Sequence, residues 1–312
     1  KDNKNWLASY YFNALNALYD ETLPIFLENP KEIVRAETAL SLMEELSDNG
    51  SSPDSIAAEE RLYQRASLYG WLGKFPKQLA LLEILHSAQK NRSTIKWALS
   101  PRTQLALANA KAKGQQIEEA LALYTALIAT PRLDPFIAAS ARLQFSRLTF
   151  SLFSDEKRSL SNPQMVTILS LLKDLFLQKQ LQQEPIHLEA AIEYARIRTL
   201  LEPPAERLLK QLSLYHRIKE EYTSKDDILS KDYHENRLLM PEKNHLYETY
   251  LTWIDAHIAT LEARKAEEKG NNSERDWKIE AARTLYSSLL NKKETLTPYL
   301  KERTENALSS TQ

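Results

Sequence analysis

Six histidines, at 86, 187, 216, 234, 245 and 257, are the residues of this chain best suited to acid–base or metal chemistry. A helical metal pair needs two of them one turn apart, and no HxxxH or HExxH spacing occurs. His245 and Glu248 can share a helix face, with His234-Glu235 in the polar stretch before them. That is the one gathering point for a scattered site, which an all-α enzyme or a small-ligand-binding domain would need. Carboxylates come as adjacent pairs, Glu59-Glu60, Glu118-Glu119 and Glu220-Glu221. Helix neighbours point about 100° apart, so these pairs do not converge on one proton. Cysteine is absent, which removes thiol nucleophiles, thiolate metal sites and disulfides together. No GxSxG, Walker-type or GxGxxG run is present, and five scattered glycines cannot build a phosphate cradle. Asn-x-Ser at 49, 91 and 271 matters only on a glycosylating route. The residues predict no catalytic site, no metal and no cofactor.

The elements that would position any site are helices. Among 312 residues, 43% are apolar and 27% charged, the balance of an ordinary globular chain. Leucine, alanine, glutamate, lysine and glutamine dominate, all good helix formers, and period-2 runs of β-branched residues are missing. Net charge is −1, with no basic stripe interleaved with aromatics, so nucleic acid is not an expected partner. No run of 18 apolar residues exists, so no span is expected to insert in a bilayer. A chain opening at Lys1 suggests a removed signal or anchor, or a piece of something longer. An extracytoplasmic or a cytoplasmic home both fit.

Two stretches organise the rest. In Leu72-Gly73-Lys74-Phe75-Pro76 the glycine can take the positive φ that ends a helix, and Pro76 suits the first turn of the next. Gly114 is expected to do the same job after Ala112-Lys113. Beyond the turns, Gln78-Leu82-Leu85 and Ala120-Tyr124-Leu127 share a four-then-three spacing that falls on one helix face, as does Ala36-Leu40-Met43. The starts, 36, 78 and 120, are 42 residues apart each time. Weaker echoes follow at Ile168-Leu172-Leu175, Ala205-Leu209-Leu212 and Ala282-Tyr286-Leu289.

With Ala66 and Tyr69 in the first helix, a glycine at the turn, and Pro131 near the close, this pattern resembles the tetratricopeptide-repeat (TPR) family. The period exceeds the family's usual length of about 34 and approaches HEAT-type spacing. Gln78 replaces an expected small residue, and one extra residue separates Gly114 from Ala120. The resemblance implies an all-α, right-handed superhelical solenoid of about six antiparallel hairpins with a C-terminal capping helix.

In chain order, residues 5–28 are expected as the first helix, with an apolar stripe of Trp6, Tyr10, Ala14, Ala17 and Leu18 and a break near Pro24. A second helix runs from Pro30 to about Leu46, and the loop 47–53 follows. Asp134 and Pro135 cap the helix over 135–153, and Asn162-Pro163 open the next. Helices over 186–201 and 204–222 complete an array spanning 1–222. A polar interruption follows over 223–244. A hairpin pairing His245–Lys269 with Ser273–Asn291, and a closing helix after Thr297-Pro298, fill 245–312.

The favoured function is a non-enzymatic scaffold or adaptor that holds another protein on a concave surface. The resemblance places groove-facing positions early and midway in the first helix of each hairpin. Counted from Gly73 they are Tyr63, Ser67, Gly70 and Trp71; counted from Gly114 they are Gln104, Ala108 and Lys111. Tyr63 and Trp71 are the candidate aromatic anchors. The lysine, arginine and asparagine set of carboxylate-clamp relatives is not matched there.

Overall fold

The computed structural model describes residues 2–18, 30–47, 56–91, 99–155, 162–178, 185–223, 241–291, 296 and 298–311. Among these residues every regular element is a helix. They form two compact units, Lys1–Gln164 and Met165–Gln312.

The first unit holds α1 (Asp2–Leu18), α2 (Pro30–Ser47), α3 (Ile56–Trp71), α4 (Phe75–Asn91), α5 (Leu99–Lys113), α6 (Ile117–Ile128) and α7 (Pro135–Asp155). The helices pack in sequence as hairpins: α1 on α2, α3 on α4, α5 on α6. The second helix of one hairpin also packs on the first of the next, α4 on α5 and α6 on α7, and the first helices α3, α5 and α7 touch in turn. The apolar series explains this stacking. Ala36, Leu40 and Met43, then Leu82 and Leu85, then Ala120, Tyr124 and Leu127 are all buried. Each such leucine removed from water contributes roughly 1.5–3 kcal/mol. Asp134 caps α7 as the spacing predicts, its Oδ1 accepting from the backbone N–H groups of Phe136 and Ile137.

On α1 the buried face differs from the expected one. Trp6 and Tyr10 are 63% and 55% exposed and stack on each other, while Ala8, Phe12 and Leu15 are buried. Both sets satisfy helical spacing. Phe12 is the one whose ring meets Trp71 of α3, at a centroid distance of 5.4 Å.

The second unit opens with α8 (Asn162–Phe176) and continues through α9 (Pro185–Thr199), α10 (Pro204–Thr223), α11 (Pro241–Glu268), α12 (Asn272–Asn291) and α13 (Pro298–Ser310). The same sequential packing recurs: α9 with α10 and α11, α10 with α11, α11 with α12 and α13, and α12 with α13. The echoes Ile168-Leu172-Leu175 and Ala282-Tyr286-Leu289 are buried. The one at Ala205-Leu209-Leu212 is displaced. Leu209 is exposed, and Leu208, Leu212 and Tyr215, three residues on with the same spacing, meet the core instead. The interruption expected over 223–244 falls mostly outside the described residues, although α11 begins within it at Pro241.

Helix α9 is buried on nearly every side, polar residues included. Glu193 accepts from Arg196 at 2.9 and 2.6 Å and from Arg303 of α13 at 3.2 Å. Glu189 accepts from the Tyr250 hydroxyl of α11. His187 Nε2 donates to the Phe176 carbonyl at 2.9 Å, and the Tyr222 hydroxyl donates to its Nδ1. These bonds offset the cost of taking polar groups out of water. They tie α8, α10, α11 and α13 to one central helix.

Candidate functional site

The turns set the register of any surface the hairpins present. At the α3–α4 turn, Lys74 N–H bonds the Tyr69 carbonyl at 2.8 Å and Gly73 N–H bonds that of Gly70 at 3.1 Å, with Gly73 at φ 72°. At the α11–α12 turn the equivalents are Asn271 to Ala266 and Gly270 to Glu267, both at 2.9 Å, with Gly270 at φ 71°. At the α5–α6 turn they are Gln116 to Lys111 at 2.9 Å and Gln115 to Ala112 at 3.2 Å, and the left-handed residue is Gln115, at φ 60°. All three are Schellman closures. Gly114, expected as the turn residue, sits one position earlier.

This removes the apparent extra residue. Counted from Gly73 and from Gln115, the second-helix series begins five residues on in both cases, at Gln78 and at Ala120. Ala66 and Ala108, both buried, become equivalent, as do Tyr69 and Lys111. Gly70 and Gln78 face each other across their turn. A Cβ on Gly70 would lie 2.2 Å from Gln78 Nε2, so the small residue has moved from the second helix to the first. At the same two positions Glu267 and Arg275 form an ion pair at 3.9 Å. One position outward, Lys77 sits 5.3 Å from the Tyr69 ring centre, and Lys111 pairs with Glu119 at 2.7 Å.

A left-handed non-glycine residue costs roughly 1–2 kcal/mol, part of which glycine returns as chain entropy. The double variant Gly114→Ala, Gln115→Gly is therefore expected to raise the unfolding free energy by about 1 kcal/mol. The added Cβ at 114 meets only the Ala110 and Lys111 carbonyls, at 3.4 and 3.6 Å. Chemical denaturation checks this; a loss of stability would return the left-handed role to Gly114.

The six candidate groove residues fall in different surroundings. Tyr63 and Trp71 are buried at 5% and 7% exposure, packed in the unit's own core. Ala108 is buried against α6 and α7. Lys111 is buried and bonded to Glu83 at 3.0 Å, Gln116 at 2.9 Å and Glu119 at 2.7 Å. Gln104 Nε2 donates to the Leu123 carbonyl of α6 at 3.3 Å. Ser67 is half-buried, its hydroxyl turned back onto the Tyr63 carbonyl. In the corrected register the α5 positions become Leu105, Asn109, Ala112 and Lys113. Of these, Asn109, Ala112 and Lys113 retain surface.

Arg102, Ala106, Asn109 and Lys113 trace the accessible stripe of α5, spaced four, three and four residues apart. Positions 42 residues earlier on α3 are Glu60, Gln64, Ser67 and Trp71; those 42 later on α7 are Gln144, Leu148, Ser151 and Asp155. The first three of each set are half-buried, on first helices that touch in turn, whereas Trp71 is buried. Asn109 is oriented from beneath. The Tyr124 hydroxyl donates to its Oδ1 at 2.6 Å, and burial raises the Tyr124 pKa so that it stays a donor. The amide NH2 of Asn109 is then its remaining hydrogen-bonding end. The signal for this residue was the 42-residue period itself, which runs 67, 109, 151.

The other gathering point has less to report. His234 and Glu235 lie outside the described residues, and His245 falls on α11. Among the described residues no three His, Asp or Glu side chains gather as metal ligands, and no helix is long and apolar enough to cross a membrane.

No protein-family model matches the chain, and no curated protein does. Solved structures do. BtubC (BKLC) from P. vanneervenii is 11% identical over 83% of this chain and 91% of its own, with a TM-score of 0.50. The nearly identical TPR-like repeats of a Podosopora anserina kinesin light chain are 16% identical, over 72% of this chain and 97% of theirs, at 0.49. A tetratricopeptide repeat protein from Parabacteroides merdae is 12% identical, over 100% and 99%, at 0.45. The fold is all-α and TPR-like, built of helical repeats.

Proposed function

We propose that the chain is a non-enzymatic scaffold that holds an extended segment of another protein along the accessible stripes of α3, α5 and α7. The observation that carries this reading is the repeated row Gln64–Ser67, Ala106–Asn109 and Leu148–Ser151. Short or amide side chains recur at one position of three adjacent helices, each keeping part of its surface. Small residues let a ligand backbone approach, and an oriented amide can bond it whatever its sequence. From Arg102 to Lys113 the stripe rises about 16 Å, the length of about five extended residues.

Selecting displayed 12-residue peptides on the purified protein tests this. Bound peptides are expected to lose about tenfold in affinity in Asn109→Ala, the loss of one good hydrogen bond in a desolvated site, and nothing in Thr125→Ala on exposed α6 surface. Peptides held equally by wild type and Asn109→Ala would remove the stripe from the account.

A further inference from the structure

The aromatic pair on α1 is the part of the helical pattern that the core leaves outside. Asn3, Trp6, Tyr10 and Asn13 are all exposed, spaced three, four and three residues apart on one face of the helix. Ala8, Phe12 and Leu15 occupy the opposite face and are buried with residues of α2 and α3. The Trp6 and Tyr10 rings stack at 5.4 Å with their planes 16° apart, so they present one apolar block. The only charged residues of α1, Asp2 and Lys4, stand in its first turn, and Lys4 pairs with Glu45 of α2 at 2.6 Å.

By side-chain type that face is a palindrome: amide, aromatic, aromatic, amide. A two-fold axis crossing the helix at the level of residue 8 sets position 3 beside position 13 of a second copy, and position 6 beside position 10. Amide then meets amide and ring meets ring, the self-complementarity that an isologous contact needs. No charge lies on the seam, so no like charges oppose one another across it. Alternating three and four is also the spacing of a helix–helix seam, where a paired Asn fixes register. An aromatic side chain carries about 150–250 Å2, so at 63% and 55% exposure the two rings leave roughly 250 Å2 uncovered on each copy. Two copies bring about 500 Å2, whereas a specific interface starts at about 1,000 Å2 in total. Leu7 and Ala14, half-buried at the edge of the seam, add to the ring surface. That area suits a weak, reversible pair and not an obligate dimer.

We propose that α1 is a self-association face, pairing two copies of this chain antiparallel through Asn3, Trp6, Tyr10 and Asn13. The inference goes beyond the scaffold reading and is independent of it, since none of these residues lies on the α3–α5–α7 row. A pair of chains carries two such rows, so a partner with two matching segments would be held by both at once. A helix of another protein would fit an uncharged aromatic face as well, yet gives no reason for its palindromic order.

Sedimentation of the whole chain between about 1 and 500 μM, a range that brackets weak protein association, tests the inference. Wild type is expected to pass from monomer to dimer across it. Tyr10→Glu is expected to weaken the dimer at least about tenfold, by setting a carboxylate among rings. Trp277→Glu, at a comparably exposed ring on α12, should leave it unchanged. Helical melting curves of the three dilute proteins should coincide, because both substituted side chains are exposed. Oxidation reads the register, because the chain has no cysteine of its own. Asn3→Cys and Asn13→Cys, mixed, are expected to give a disulfide-linked dimer, and neither variant alone. A wild type that stays monomeric throughout would overturn the proposal and leave the face to a different partner. So would a dimer unmoved by Tyr10→Glu. Covalent dimers from either cysteine variant alone, or none from the mixture, would overturn the antiparallel pairing.

Discussion

Glu193→Ala is expected to lower the unfolding free energy of the Met165–Gln312 unit by about 2–4 kcal/mol, the cost of breaking a buried ion pair from one side. The Glu193 side chain is fully buried and its two oxygens are divided between arginines, Oε2 to Arg196 and Oε1 to Arg303. Arg196 shares its helix, whereas Arg303 comes from α13, 110 residues along the chain. Truncation therefore leaves two guanidinium groups around a void and cuts the bond between α9 and the last helix. Both arginines keep roughly a quarter to a third of their side-chain surface, so water recovers part of the loss. Glu206→Ala, on the exposed first turn of α10, should change stability by no more than about 0.5 kcal/mol. Urea unfolding of the two variants decides the matter. Equal midpoints would mean that Glu193 carries no weight in the unit.

Acid should destabilise the same unit strongly. Burial lowers the His187 pKa to about 4, its bond to the Phe176 carbonyl opposing the shift only in part. His257 is also lowered to about 4, by burial and then by the fields of Arg264 and Arg303. It stacks on Trp253 at 4.9 Å and meets Tyr215 at 4.6 Å, with the Gln211 amide at 3.4 Å. An unfolded histidine titrates near 6.5. Between these values the unfolded chain binds protons that the folded unit refuses, so stability is intact above about pH 6.5 and falls as pH drops towards 4. The linkage amounts to about 3 kcal/mol for His187 and less for His257, which keeps some surface. Thermal melts from pH 7.5 to 4.5 should show a steep decline, shallower in His187→Leu. Parallel slopes for wild type and variant would contradict the assignment.

Most of the fold was legible because its strongest signals are local. Ala120-Tyr124-Leu127 and Ala282-Tyr286-Leu289 mark buried faces by spacing alone, and Asp134-Pro135 mark a helix start by chemistry that needs no tertiary partner. Illegible features were those in which two local readings tie and packing decides. Trp6 with Tyr10 and Phe12 with Leu15 are equally periodic on α1, and packing of the second set with α2 and α3, the Phe12–Trp71 stack included, separates them. At the second turn, glycine preference favoured Gly114, yet the closing hydrogen bonds put Gln115 in the left-handed region. That one-residue difference moved the α5 positions from Gln104, Ala108 and Lys111 to Leu105, Asn109 and Ala112. Gln78 looked like a departure until the bare Cα of Gly70 across the turn accounted for it. Helix α9 hid its role for another reason: its carboxylates bond partners 61 and 110 residues away, which no window of sequence contains.

Site-specific photo-crosslinking to a 12-residue peptide probe selected on the purified protein tests the ligand-bearing face most directly. A photoreactive phenylalanine placed at Ala106, between Arg102 and Asn109, or at Ser151 on α7, should attach to the probe. The same group at Ala122 or Thr125, exposed on α6, should not. Attachment at the α6 positions with none at Ala106 and Ser151 would put the ligand on the second helices and contradict the account.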